Sequence, residues 1–147
     1  MRSSIKPYRG EDDRKQVLAI AYATASRASG SPTNPPVITG PVITTDFGAN
    51  LVSVSGNDIV ANVDCVVIVT LQMNGSLVPR NNVHLTRVNN DASETNFRGS
   101  YAAQAVNRET ITVPMYLYAG EIIRPKLYTL STHDYNGILR IFAKRVQ

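Results

Sequence analysis

From Ile59 to Met73 the chain alternates with unusual strictness: Ile59, Ala61, Val63, Cys65, Val67, Val69, Leu71 and Met73 occupy every odd position, and Asn62, Asp64, Thr70 and Gln72 fall among the even ones. A helix would scatter that pattern around its circumference, whereas a strand sets residues i and i+2 on one face. The segment is therefore expected to be a strand with one face in a core. Asn74-Gly75 follows at once. Both central residues of a type I′ turn need positive φ, so this pair predicts a hairpin with Ser76–Arg80 as the returning strand.

The same reading extends over the rest of the chain from Val37. Ile111, Val113, Met115 and Leu117 alternate with Thr112, Pro114, Tyr116 and Tyr118; Ala119-Gly120-Glu121 reads as a turn, and Ile122–Leu130 leaves it. Asn136-Gly137 precedes a last strand over 138–143, where Leu139, Ile141 and Ala143 oppose Ile138, Arg140 and Phe142. Pro114 and Pro125 cannot donate a ladder hydrogen bond, which assigns them to edges, bulges or strand ends. The stretch Asn89–Asn96 reads as a mobile polar loop. Many short antiparallel strands with regular turns predict a sandwich or barrel, and no internal repeat is visible.

The front of the chain differs in composition. Glu11-Asp12-Asp13 would load the positive end of a helix dipole. Val17, Leu18, Ala21 and Ala25 recur near helical spacing, with Gly30 as a stop. Ser29–Pro36 holds three prolines and small polar residues and reads as a linker. The expected division is an attachment segment with helix and linker over 1–36 and a head over 37–147. Lys6, Tyr8, Arg9, Arg14, Val17 and Leu18 are the candidate attachment residues of that front segment.

At 147 residues one domain can bury a core without disulfide staples. Only 18% of the residues are charged, which fits a chain whose surface is partly covered by other subunits, because interface cores are depleted in charge. Cys65 is the single cysteine, so neither an intrachain disulfide nor a thiolate metal cage can form. No apolar run approaches the length of a membrane span, and the stretch after Arg2 and Lys6 turns acidic where a signal peptide would be apolar. The expectation is a protein made in a host cytoplasm with no membrane partner. Residues 1–30 carry six basic and three acidic groups, and residues 124–147 carry five and one. These basic ends lack the dense stripe and interleaved aromatics of a nucleic-acid binder, so they read as surfaces for an acidic protein partner or as solvated termini rather than as a nucleic-acid site.

No motif for catalysis, metal or cofactor stands out. His84 and His133 lie near neither a nucleophile motif nor a metal-spaced partner, and His133-Asp134 reads as a polar loop. The carboxylates lack calcium-loop spacing, and no glycine-rich run precedes a helix with a following lysine. Cys65 falls on the apolar side and reads as a small core residue. Tyr116, Tyr118 and Tyr128 lie opposite Met115, Leu117 and Leu127. Tyrosine combines large contact area with a polar tip and is enriched at interfaces, so these rings are either subunit contacts or an ordinary outer face. Asn90, Asp91, His133 and Asp134 are candidate loop contacts.

Three pieces of the sequence resemble the globular heads of the complement-first-component and tumour-necrosis-factor group. Val66–Val78 looks like that group's strand, Asn-containing turn and returning strand. Thr112–Ile123 is similar to its strand ending in Gly-Asp with an apolar restart, with Glu121 in place of the aspartate. Tyr135-Asn136-Gly137-Ile138-Leu139 sits where the group has an aromatic, one residue, glycine and an apolar pair. The likeness covers roughly 45–147 and implies an all-β antiparallel jelly-roll sandwich packed as a homotrimer, here with a short N-terminal helix and a Pro-rich linker. The chain departs from secreted animal ligands in having no collagen-like stalk and no disulfide pair. Similar heads also occur on virus and phage particles. The expected function is therefore a non-enzymatic virion structural protein: a capsid-decorating, cement or head-fibre/spike protein on the particle surface, without cofactor. The alternatives are a receptor- or carbohydrate-binding head and a jelly-roll coat protein of a small icosahedral virus.

Overall fold

A computed structural model of the chain describes residues 15–26, 37–38, 41–78, 82–98, 106–128 and 133–146. They form ten strands: β1 (Lys15–Ser26), β2 (Val42–Phe47), β3 (Val52–Ser55), β4 (Asp58–Ala61), β5 (Cys65–Val78), β6 (Asn82–Val88), β7 (Glu94–Arg98), β8 (Val106–Leu117), β9 (Ile122–Tyr128) and β10 (His133–Arg145). All named strand pairs are antiparallel, in two five-stranded sheets of order β2-β1-β10-β5-β8 and β3-β4-β9-β6-β7. The architecture is the expected all-β jelly-roll sandwich. Its core is the space between the sheets, filled by Leu18, Ile20, Tyr22, Leu71, Leu139 and Ile141 from the first and Ile59, Val83, Leu85, Ile123 and Leu127 from the second.

The odd positions from Ile59 to Met73 do point inward. All are buried except the half-buried Val63. They belong to two strands rather than one, because the chain turns at 62–64 and passes from β4 in one sheet to β5 in the other. Both sheets face the same core, so a link across the end of the sandwich preserves the alternation. Asn62 and Asp64 serve that link: the Asn62 amide donates to the Asn50 carbonyl (2.9 Å), and Asp64 Oδ1 accepts from the Ala119 N–H (2.8 Å).

Neither Asn-Gly pair makes a hairpin. β5 runs through Asn74-Gly75 to Val78, with an irregularity between the Asn74↔Arg108 and Val78↔Val106 pairs. The glycine-containing stretch is thus absorbed in a bulge on the edge-strand side, where an extra residue can be accommodated without reversing the chain. β10 likewise runs through Asn136-Gly137, opposite Asn74 and Met73. Here glycine serves close approach, since a Cβ on Gly137 would meet the Met73 side chain and lie 2.6 Å from the Gln72 carbonyl oxygen.

The helix expected ahead of Gly30 is replaced, over residues 15–26, by strand β1, paired along its whole length with β10. Alanine's helix preference is worth only a fraction of a kcal/mol per residue. Burying Leu18 and Ile20 is worth about 1.5–3 kcal/mol each, and with the buried Tyr22 their spacing of two is that of a strand. Gln16 fixes the entry: wholly buried, its Oε1 accepts from the Val52 N–H and its Nε2 donates to Asp46 Oδ1, both at 2.8 Å. The head therefore begins no later than residue 15, and the boundary expected at residue 36 falls after its first strand. Residues 1–14 and 27–36, including the expected linker, lie outside the described residues.

The two prolines sit as their missing N–H demands. Pro114 is on β8, at an edge of its sheet. β9 is internal, but β4 pairs only with Ile122 and Ile123, and the Pro125 carbonyl instead accepts from the Ile38 N–H (2.9 Å). A strand residue's N–H and C=O point to the same side, so Pro125 withdraws its donor from that stretch beyond β4 and not from the β6–β9 ladder.

Candidate subunit interface

The sandwich has two outer faces of opposite character. On the second sheet several outward side chains are paired with one another. Arg124 Nε and Nη2 donate to the two Asp58 oxygens (2.8 and 2.9 Å), Glu94 lies 3.6 Å from Arg124, and Thr86 donates to Asn96 Oδ1 (2.6 Å). Much of this face is closed by its own polar contacts.

The outer face of the first sheet is not. In the registers of its four strand pairs, Phe47 lies opposite Val17, Val17 opposite Phe142, Phe142 opposite Ile68, and Ile68 opposite Pro114. One apolar row thus crosses all five strands. Its members are far from buried: Phe47 is 71% exposed, Ile68 49%, Phe142 40% and Val17 37%. Val66, Ile68, Pro114, Met115, Phe142 and Lys144 line a groove of about 470 Å³ along it. A contiguous apolar patch on an otherwise finished sandwich marks an interaction surface.

The adjoining row runs Lys15–Lys144–Val66–Tyr116. Lys15 Nζ sits 5.3 Å from the Phe142 ring centroid. At its far end the Tyr116 and Tyr118 rings are tilted together with centroids 4.8 Å apart. Burial, then the Asp64 charge, raises the Tyr116 phenol above its ordinary value. On the other side of the apolar row the face turns polar. Thr70 and Thr112 hydroxyls are bonded at 3.0 Å, and Asn74 Oδ1 accepts from Arg108 Nε and Gln72 Nε2, each at 3.3 Å.

Two of the three expected interface tyrosines are therefore on this face: Tyr116 half-buried at its rim and Tyr118 half-exposed just beyond β8. Tyr128 ends β9 in the other sheet, and its side chain lies outside what is described. Of the expected attachment residues, Val17 belongs to the apolar row. Leu18 points into the core at 1% exposure and offers nothing to a particle. Lys6, Tyr8, Arg9 and Arg14 lie outside the described residues. The residues that make the row, Ile68 and Phe142 above all, were not singled out from sequence. The available signal was β5 itself, where Val66-Val67-Ile68-Val69 is apolar on both faces, a pattern that asks for cover on both sides.

The candidate loop contacts take other positions. Residues 89–93 form a tight internally bonded turn between β6 and β7, not a mobile loop. Asp91 Oδ1 accepts from both the N–H and the hydroxyl of Ser93, which holds its carboxyl below the usual range, and Asn90 donates to the Ala119 carbonyl (3.2 Å). Residues 94–98 form β7. His133 and Asp134 open β10 opposite Ser26 and Ala25 rather than sitting in a loop, and their side chains lie outside what is described.

His84 is buried on β6 with neither ring nitrogen hydrogen-bonded. Its cross-strand neighbours are Arg98 and Lys126. Burial, reinforced by those cations, lowers it to about 4. Cys65 is buried in the core as expected, and burial with the Asp64 charge pushes its thiol up to about 11. Glu121, in the position where the resembling group has aspartate, accepts from Arg87 (2.7 Å) and from the Tyr118 N–H (3.1 Å), closing one end of the core. Among the described residues, no three His, Cys, Asp or Glu side chains gather to hold a metal.

No protein-family model and no curated protein matches the chain. Solved structures do. The globular domain of zebrafish complement 1qA superposes over 86% of this chain and 94% of its own, with a TM-score of 0.62 at 9% identity. Murine APRIL at pH 5.0 covers 88% and 98%, with a TM-score of 0.64 at 13% identity. The Eiger TNF from S. frugiperda covers 92% and 94%, with a TM-score of 0.53 at 10% identity. The fold is that of the complement and tumour-necrosis-factor heads. At these identities the likeness establishes the architecture of the head, while its contacts must be argued from its own residues.

Proposed function

We propose that this chain is a non-enzymatic structural head that assembles as a homotrimer through the outer face of the first sheet. The observation that carries the reading is the row Phe47–Val17–Phe142–Ile68–Pro114, uninterrupted by any charge across five strands. Removing these half-exposed side chains from water is worth about 1 kcal/mol each, a gain the isolated chain forgoes. A closed threefold ring of such heads gives every copy the same cover. Sedimentation velocity at micromolar concentration should return three times the 16.0 kDa chain mass; a single 16 kDa species there refutes the trimer.

The setting we propose is the surface of a virion, with the trimer as a capsid-decorating, cement or head-fibre/spike protein. The resemblance to heads borne on virus and phage particles supports it, together with a polar front segment ahead of β1 that carries four basic and three acidic residues. Attachment is assigned to residues 1–14, since Lys15–Ser26 is built into the sheet. Deleting 1–14 should leave the trimer folded and abolish binding to the particle; retained binding would remove the anchoring role.

A further inference from the structure

A threefold ring is closed by heterologous contacts, in which one patch of each copy meets a different patch of the next. Resting on the self-association proposed above, we infer how the neighbouring copy is seated: Lys15 and Lys144 of one copy receive Asp64, with Tyr116 and Tyr118 beside it, from the next. Lys15 and Lys144 stand directly opposite each other on β1 and β10. Like charges in that position repel, and both side chains are exposed. Among the described residues, no carboxylate lies within 4.0 Å of either. Within the described residues the pair is a cationic patch that lacks a carboxylate partner.

The same row ends in the complementary patch. Asp64 lies at the start of β5 and is exposed; its Oδ1 accepts from the Ala119 N–H, which turns the carboxylate toward the β8 side and away from β10. The Tyr116 ring, which feels the Asp64 charge, is tilted against that of Tyr118. Strands lie about 4.8 Å apart, so Lys15 on β1 is two strands from Asp64, and a head-to-tail ring sets the β8 edge of one copy, toward which Asp64 turns, onto the lysine-bearing face of the next. The apolar row beside the lysines supplies the contact area, and the charges fix which edge of the neighbour enters and in what register.

The test is charge exchange in the full chain, read by sedimentation and with folding followed by circular dichroism. Asp64→Asn keeps the oxygen that accepts from Ala119 and removes only the charge. It should raise the concentration of half-assembly by about tenfold. Lys15→Glu with Lys144→Glu, and separately Asp64→Lys, should raise it further by setting like charges against each other. All three exchanges in one chain should restore assembly to within a few fold of the natural protein, because each copy then offers acid to base again. A triple variant no better than the separate ones, or separate variants that assemble normally, overturns the pairing. Where the charge variants give either of those results but Ile68→Asp is a monomer, self-association stands while the seating falls. If the unaltered protein is itself a monomer, both fall.

Discussion

Replacing Ile68 by aspartate perturbs the centre of the apolar row while leaving the core untouched. Ile68 lies between Phe142 and Pro114, points away from the core and is already 49% exposed. In an isolated head the change should therefore cost within about 1 kcal/mol, the span of strand preferences. In the assembly each copy loses about 1 kcal/mol of apolar burial and must dehydrate a carboxylate, at several kcal/mol per ion. Three copies bring the loss to the order of 10 kcal/mol per trimer. The concentration of half-assembly of a trimer follows the square root of its association constant, so it should rise more than about a thousandfold. Sedimentation velocity from micromolar to millimolar protein reads that shift, and urea unfolding at a concentration where both proteins are monomeric reads the fold. An Ile68→Asp protein of trimeric mass at micromolar concentration would refute the assignment of this face. A variant that fails to fold as a monomer would show that the face is not free.

Leu18→Ala should destabilise the head by about 2–5 kcal/mol, since Leu18 is fully buried. Val17→Ala should leave the monomer within about 1 kcal/mol but weaken assembly; equal losses at the two positions in urea unfolding would contradict the strand assignment of β1. Gly137→Ala forces a Cβ against Met73 and the Gln72 carbonyl and should cost about 1–3 kcal/mol, measured the same way. A wild-type stability there would mean that β5 and β10 are farther apart than described. His84 is held neutral, with its folded value of about 4 below the ordinary 6.5. Its contribution is present above pH 6.5 and is lost as pH falls from 6.5 through 4. It amounts to at most about 3 kcal/mol, and less to the extent that solvent screens the ring. Unfolding at pH 7.5 and 4.5 should show a smaller loss on acidification in His84→Asn than in the natural protein; equal losses would exclude His84 as the source.

Inward faces were legible in the sequence because burial imposes a period of two that survives even a change of sheet. The run from Ile59 to Met73 spans the turn at 62–64 without a break in phase. Turns were less legible, because the residues that permit a reversal also permit other things. Gly137 is glycine for lack of room beside Met73, and Gly75 falls in a bulged stretch. β1 was hidden by alanines. Ala19 and Ala21 occupy its outer side and favour a helix slightly, and only the spacing of Leu18, Ile20 and Tyr22 identifies the strand. The site was half-legible: Tyr116 and Tyr118 were found because aromatic residues are conspicuous. Ile68 and Phe142 were missed because each is unremarkable until register sets them side by side on strands more than seventy residues apart.

That register also explains why the two outer faces part company. On the second sheet, donors meet acceptors at Thr86 with Asn96 and at Arg124 with Asp58 on the next strand and Glu94 two strands away, while His84 stands between Arg98 and Lys126. On the first, the neighbours are apolar beside apolar and lysine beside lysine. Such pairings give an isolated sheet little, since opposed lysines repel and exposed apolar rows keep their contact with water. They are consistent with a fold that is finished by its neighbours, with hydrophobic burial supplying the affinity and the unpaired charges selecting the register. The two contributions separate by salt: raising ionic strength screens the lysines and leaves the apolar row intact. The trimer should therefore weaken modestly between low and high salt and persist. Complete dissociation in high salt would mean that charge, and not the row through Ile68, holds the copies together.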